Sequence, residues 1–418
     1  MRISVVVVSH GRPEMLSLCL QALHQQRRVT FELIIVGDRA AQQVVRQMTW
    51  LGPIKFREFD QRNVSRARNL GISMAAGEVI AFIDDDAMAL PDWLHHLTDP
   101  FRNPDLCFAT GAVRGADGIR WQSRGEMIDS SCQTQPLEPS SPDWVMVQGR
   151  SDTGLLPIGT NSAFRAAPLR QVGGFDEAYA YYLDDADLGM RLAKTGALGA
   201  YCPKAEVFHA QAAGPYRDTS RAPRDLFQIG HSSRRFFEQH SVGCAEKSIW
   251  YGIHCLLRKR LSRHMVKGRL GPEEAAKLLA QFNQAWVKYS GGDLARPSAL
   301  PEPNCNYIAF LRQPNNWHKS FIFKRKNFFL PWRYAPSKQP DSPSSFVLEV
   351  KIMPFLRRKR MGFHQSGVWF IHLPVPGLRP LASLIFGQID LEQTVLRELR
   401  RIAPNSENFD NEAVVWLV

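Results

Sequence analysis

Two clusters of carboxylates define the chemistry open to this chain. Asp84-Asp85-Asp86 closes the apolar run Val79-Ile80-Ala81-Phe82-Ile83. Asp184-Asp185-Ala186-Asp187 opens a segment that Leu188, Met190 and Leu192 place on a helix. Carboxylates crowded at the end of a strand repel one another unless a cation joins them, and hard oxygen ligands suit Mg²⁺ or Mn²⁺. A carboxylate held beside a substrate hydroxyl is a general base. His209, at the end of the short apolar strand Val207-Phe208-His209-Ala210, is a candidate third metal ligand. Each feature also has a plainer reading in isolation. The triplet can be a solvated turn before a helix at Pro91-Asp92, the second cluster an acidic first turn favoured by the helix dipole, and the histidine a surface residue.

The elements that must position these groups alternate in the manner of βαβ units. Strands are expected at Ile3–Val8, Phe31–Val36, Ile54–Phe59 and Val79–Ile83, with helices at Pro13–Gln26 and Asn63–Ala76. Further helices are expected near Ala167–Val172, Asp184–Thr195, Arg224–His240 and Pro272–Tyr289, and a last one near Leu391–Ile402. In an open α/β sheet ligands bind at the carboxyl edge. Asp38 ends the second strand as the triplet ends its own, so both belong on that edge. The first turn, Ser9-His10-Gly11-Arg12-Pro13, carries neither a dinucleotide fingerprint nor a phosphate-binding loop. A nucleotide is still accommodated if Asp38 accepts from a base N–H and a metal at the triplet bridges the phosphates. Arg66 and Arg68, on the helix opened by Asn63, either meet a base or a phosphate or form a solvated helix face.

Composition is that of a soluble globular protein, with 44% hydrophobic and 22% charged residues among 418. Seven cysteines without a Cys-x-x-Cys argue against a disulfide framework or structural zinc. They favour a reducing, cytoplasmic setting. No leader-like segment or spanning helix is apparent. Most of the net charge of +12 is local: between Pro301 and Pro380, thirteen Lys or Arg face three acidic residues, a balance of +10.

Taken in order, these motifs resemble the family 2 inverting glycosyltransferases of the GT-A fold, over about residues 2–214. The carrying residues are Ile3 to Pro13, Ala67-Arg68-Asn69-Leu70-Gly71-Ile72 and Gly77 to Asp86. They continue with Gly159-Thr160-Asn161, Gly173-Gly174-Phe175-Asp176-Glu177 and Asp184 to Leu192. The resemblance implies an α/β, Rossmann-like nucleotide-sugar-binding domain at 1–214, while helical periodicity and charge beyond it suggest a helical extension at 215–290 and a basic region at 291–418. The appended part as a whole is expected to be mainly helical and irregular. It also implies a donor, most simply a UDP-sugar, with Asp38 at the uracil, Asp84 near the ribose and Asp86 on the metal. His209 falls near the metal and diphosphate, and Asp185 is the matching base, with Asp85 a spacer.

This sequence departs from the family at three places. Gly37-Asp38-Arg39-Ala40 stands for Asp-Asp-Gly-Ser, His10-Gly11 for Tyr-Asn, and Asp184-Asp185 for Glu-Asp. The last change leaves Asp184 as a rival base. Beyond Gly214 the resemblance is silent. The basic segment reads as a solvated surface, as a contact for anionic lipid at the inner face of a membrane, or as a contact for an anionic glycan. The first of these contacts suits a lipid-linked acceptor. No nucleic-acid motif accompanies the charge. The competing class is a non-catalytic GT-A-like protein that docks on membrane or acidic glycan through this segment.

Overall fold

Val5 and Val7 lie on one face of the first strand and Val6 on the other, and all three are fully buried. A strand apolar on both faces needs cover on both, as in a sheet sandwiched by helices. The computed structural model has this arrangement. It describes residues 1–310 apart from 49–51, 116–117, 139–140, 142, 242 and 290–294, and five strands beyond 310.

The first half runs β1 (Ile3–Ser9), α1 (Pro13–His24), β2 (Glu32–Gly37), α2 (Arg39–Gln47), β3 (Lys55–Glu58), α3 (Val64–Met74) and β4 (Val79–Asp84). There follow β5 (Ala87–Ala89), α4 (Trp93–Thr98), β6 (Leu106–Gly115), β7 (Trp121–Ser123), β8 (Glu126–Asp129), β9 (Thr134–Pro136), β10 (Val145–Gln148) and β11 (Thr153–Leu155). The domain is completed by β12 (Ser162–Arg165), α5 (Ala166–Gln171), α6 (Asp184–Lys194) and β13 (Leu198–His209). Three helices follow: α7 (Phe227–His240), α8 (Glu246–Val266) and α9 (Pro272–Lys288).

The large sheet has the order β10-β13-β6-β12-β4-β1-β2-β3. β3, β2, β1 and β4 are parallel, β12 runs against both β4 and β6, and β13 is parallel to β6. β4, β6 and β13 therefore share a direction. The carboxyl ends of β1, β2, β4 and β13, at Ser9, Gly37, Asp84 and His209, reach one edge. One apolar layer packs Val5, Val7, Ile35 and Ile83 under α1 and α4. The other packs Val6, Ile34, Phe82 and Phe164 under α3 and α6. The approach of α3 is close: a Cβ on Gly71 would sit 2.4 Å from Val6 Cγ1.

The α/β class and the helices α7 and α9 agree with the sequence reading. The appendage is helical over α7, α8 and α9, as expected, and past residue 310 the described residues add a second sheet of order β16-β17-β15-β14-β18. Its strands are β14 (Ser320–Arg325), β15 (Val347–Met353), β16 (Arg360–Phe363), β17 (Val368–Pro374) and β18 (Val414–Leu417). β-Branched and aromatic residues such as Val347, Ile352, Val368 and Phe370 favour these strands. The helix expected near Leu391–Ile402 lies outside the described residues. All seven cysteines are unpaired. Among the described residues, no helix is long and apolar enough to cross a membrane.

Candidate active site

The acidic triplet does not emerge into solvent as a turn. Asp85 and Asp86 are buried, while Asp84 is about a third exposed. Burial of adjacent carboxylates is costly unless a cation or hydrogen bonds compensate, and the chain supplies one cation itself. Arg12, in the first turn after β1, reaches Asp85 Oδ1 at 2.6 Å and Asp86 Oδ2 at 3.0 Å. Ser9 Oγ donates to Asp85 Oδ2 at 2.8 Å. Asp85, expected as the spacer of the triplet, is anchored by Arg12 and Ser9. Burial, opposed by Arg12, pushes its carboxyl up to about 7. Asp86 moves the other way. Burial alone would raise it, but His209, Arg12 and the Ala212 N–H, which donates at 2.7 Å, hold it well below the usual range.

Asp86 Oδ1 faces His209 Nε2 at 3.2 Å and has no hydrogen-bond partner. Asp84 Oδ2 lies 3.9 Å from the same nitrogen, and the three side chains present one ligand atom each within 4.8 Å of one another. Gln122 explains why Nε2 faces inward. Its amide N–H donates to the His209 carbonyl at 2.9 Å, and its Oε1 lies 2.9 Å from Nδ1 while also accepting from Gln211. An acceptor at Nδ1 places a proton there, so the neutral ring turns its Nε2 lone pair to the two aspartates, while the protonated ring donates to Asp86 through Nε2. A buried carboxylate oxygen without a donor, opposite an imidazole lone pair, suits a divalent cation. The residues present fit one. Gln122 escaped the sequence reading because a lone glutamine in an irregular stretch carries no spacing signal.

The second cluster faces the first across a cleft of about 1040 Å³. Arg68 joins them. It is buried, with Nη1 paired to Asp184 and Nη2 donating to Asp84 Oδ1 at 3.0 Å, and its guanidinium lies 5.1 Å from the Phe175 ring centroid. Arg68, expected to meet a base or a phosphate, lines the cleft with its guanidinium engaged by carboxylates. Its guanidinium bridges two carboxylates, while Arg66 is the one on the exposed face. Gly159 permits the bridge: a Cβ there would lie 2.7 Å from Arg68 Nη2.

Asp184 and Asp185 part company at this bridge. Asp184 is buried against Arg68, and burial pushes it up to about 7. Asp185 is only partly buried, lines the cleft, and accepts from the Gly159 N–H at 3.1 Å and its neighbour Ala186 N–H at 2.8 Å. Its carboxyl is raised, burial outweighing those two bonds and Arg68. Asp187 turns away to Arg191 and His240, each at 2.8 Å. The helix start is held by two consecutive non-glycine residues in the left-handed region, Tyr182 at φ 73° and Leu183 at φ 65°. Such residues cost of order 1–3 kcal/mol each and cluster where a functional group must be aimed.

Asp38 stands at the expected strand end, but both its oxygens are engaged. It accepts from the Gly11 N–H at 2.6 Å and caps α2 through the Ala41 N–H at 2.9 Å. It clamps the β1–α1 turn to α2 and is not among the residues that line the cleft. Val36, Phe59 and Arg62 line that end.

Residues 4–173 match the family described as Glycosyl transferase family 2. Among curated relatives, the chain is 38% identical over 114 residues to the N-acetylglucosaminyl-diphospho-decaprenol L-rhamnosyltransferase of Mycobacterium tuberculosis, covering 25% of this chain and 36% of that one. It is 33% identical over 120 residues to the glucosyl-dolichyl phosphate glucuronosyltransferase of Haloferax volcanii, covering 27% and 38%. The matches thus span little more than a third of these relatives. Among solved structures, GalNAc-T7 with UDP, GalNAc and Mn²⁺ aligns at a TM-score of 0.43 and 14% identity, covering 57% of this chain and 48% of that one.

Proposed function

We propose that this chain, whose residues 4–173 belong to glycosyl transferase family 2, moves a sugar from a nucleotide donor to a hydroxyl acceptor with inversion at the anomeric carbon. The observation that carries this reading is the pairing of a metal-ligand trio, Asp84, Asp86 and His209, with a partly exposed carboxylate, Asp185, in one cleft. A binding protein has no use for the second of these.

The donor is a UDP-sugar in this reading. Its base lies toward Val36 and Phe59, and its diphosphate toward Asp84, Asp86 and His209, which would hold Mn²⁺ or Mg²⁺. When bound, the cation neutralises the charge that builds on the leaving diphosphate. Asp185 accepts the proton of the acceptor hydroxyl as its oxygen bonds to the anomeric carbon. The bond from that carbon to the diphosphate oxygen breaks on the opposite side, and the nucleoside diphosphate leaves with the electron pair. Arg12 keeps Asp86 ionised beneath the site. Arg68 keeps Asp184 and Asp84 from repelling each other and leaves Asp185 to act. The acceptor is a glycan or a lipid-linked sugar, and the decaprenol and dolichyl phosphate in the relatives' names support the lipid-linked form.

Calorimetric titration with UDP, with and without Mn²⁺, tests the metal trio. Asp86→Ala should abolish the metal-dependent part of binding. Gln122→Leu, which keeps all three ligands but releases the His209 ring, should weaken it by about 10–100-fold. Metal-dependent binding of wild-type strength in Asp86→Ala would remove the assignment.

A further inference from the structure

We propose that α8 is a docking surface for an anionic lipid bilayer, which brings the acceptor end of the cleft to the membrane. At 21 residues the helix is about 31 Å long, yet it buries only Ile249, Leu257 and Leu261. The shorter α9 buries five residues and α7 seven. Large apolar side chains stand on the outer face of α8: Tyr251 and Leu256 are 65% exposed and Val266 is 88% exposed.

Charge selects the occupant. From Lys247 to Arg269 the chain has seven Lys or Arg and no Asp or Glu. Arg258 and Lys259 are exposed on the side of the helix that carries Tyr251 and Val266, and Arg263 and Lys267 are exposed further round the axis, toward Leu256. A protein partner's core would be spoiled by four ammonium and guanidinium groups set among its apolar contacts. A lipid headgroup layer accepts both, taking the basic heads at the phosphates and the apolar side chains at the acyl boundary. The helix is not apolar enough to cross, so it lies on the surface.

Position ties this face to the cleft. Leu256 is among the cleft's lining residues, and Gly252 backs onto Gln133, another of them, with a Cβ there 3.6 Å from its amide nitrogen. In placing a membrane-embedded acceptor at this mouth, the proposal rests on the transferase reading. Docking itself does not, and it is measured without turnover.

The test is sedimentation of the full chain with phosphatidylglycerol-containing vesicles and with phosphatidylcholine vesicles. The chain should bind the anionic vesicles alone, and less at high salt. Arg258→Glu/Lys259→Glu/Arg263→Glu should weaken that binding by about tenfold or more, and Tyr251→Ser/Val266→Ser should weaken it at all salt concentrations. Unchanged UDP binding and melting temperature show that both variants fold. The proposal is overturned by equal binding to neutral vesicles, by wild-type binding in both variants, or by no vesicle binding together with a dimer that the substitutions dissociate. Vesicle binding without any glycosyl transfer leaves the docking surface standing and removes only the transferase reading.

Discussion

Asp185→Asn is expected to lower kcat by about 10²–10⁴-fold, the usual contribution of a positioned general base, while UDP binding stays at the wild-type level. The substitution is isosteric. Its single oxygen can keep only one of the Gly159 and Ala186 N–H donors, so an unchanged melting temperature and UDP affinity are what show that the loss reflects basicity and not collapse of the loop. Burial is the largest influence on this carboxyl and raises it, and it must be ionised to accept a proton. Activity should therefore fall as pH drops through a value above the ordinary carboxylate range, and the acid limb of a kcat/KM profile locates it. Asp184→Asn serves as the contrast, since its partner is Arg68 and not the open cleft. Full turnover in Asp185→Asn, with loss only in Asp184→Asn, would transfer the role to the rival residue.

Arg68→Met should produce the largest loss of stability. Removing one partner of a buried ion pair leaves the other uncompensated, typically at a cost of about 3–5 kcal/mol, and here Asp184 and Asp84 both lose their cation. The loss should depend on pH with a definite sign. Asp184 already has its folded value raised to about 7. Its contribution to stability is therefore fully present below the unfolded carboxylate value and is lost as pH rises through the folded one. Without Arg68 the carboxyl rises further. The variant's deficit should be small in mild acid, where Asp184 is neutral, and widen toward mild alkali. Denaturant unfolding at the two conditions measures it. A deficit independent of pH would mean that Arg68 acts by packing on Phe175 alone.

The sequence makes the strands β1, β2 and β4 plain, because a chain buried on both faces must spell a nearly unbroken apolar run. Their ends then locate Asp84 and Asp86 without further help. What it hides is pairing. The family motif includes Arg68, but nothing in Ala67-Arg68-Asn69 says that this side chain turns inward to Asp184, since the partner is 116 positions away. The antiparallel insertion of β12 between β4 and β6 is equally silent, because four residues in either direction read alike. The helix α8 was missed for another reason. Its basic and apolar residues alternate around the axis, so no single face shows the apolar stripe by which α9 is recognised.

The left-handed pair Tyr182-Leu183 reverses the usual advice about substitution beside the proposed base. Tyr182 is 41% exposed and looks freely replaceable, yet its backbone is one that ordinary residues avoid. Glycine at 182 would relieve that strain and would also give the entry to α6 freedom it now lacks, whereas Leu183 is packed in the core and cannot be trimmed without cost. A more stable chain would then carry a less firmly aimed Asp185. Selection for thermal robustness and selection for turnover should pull position 182 in opposite directions.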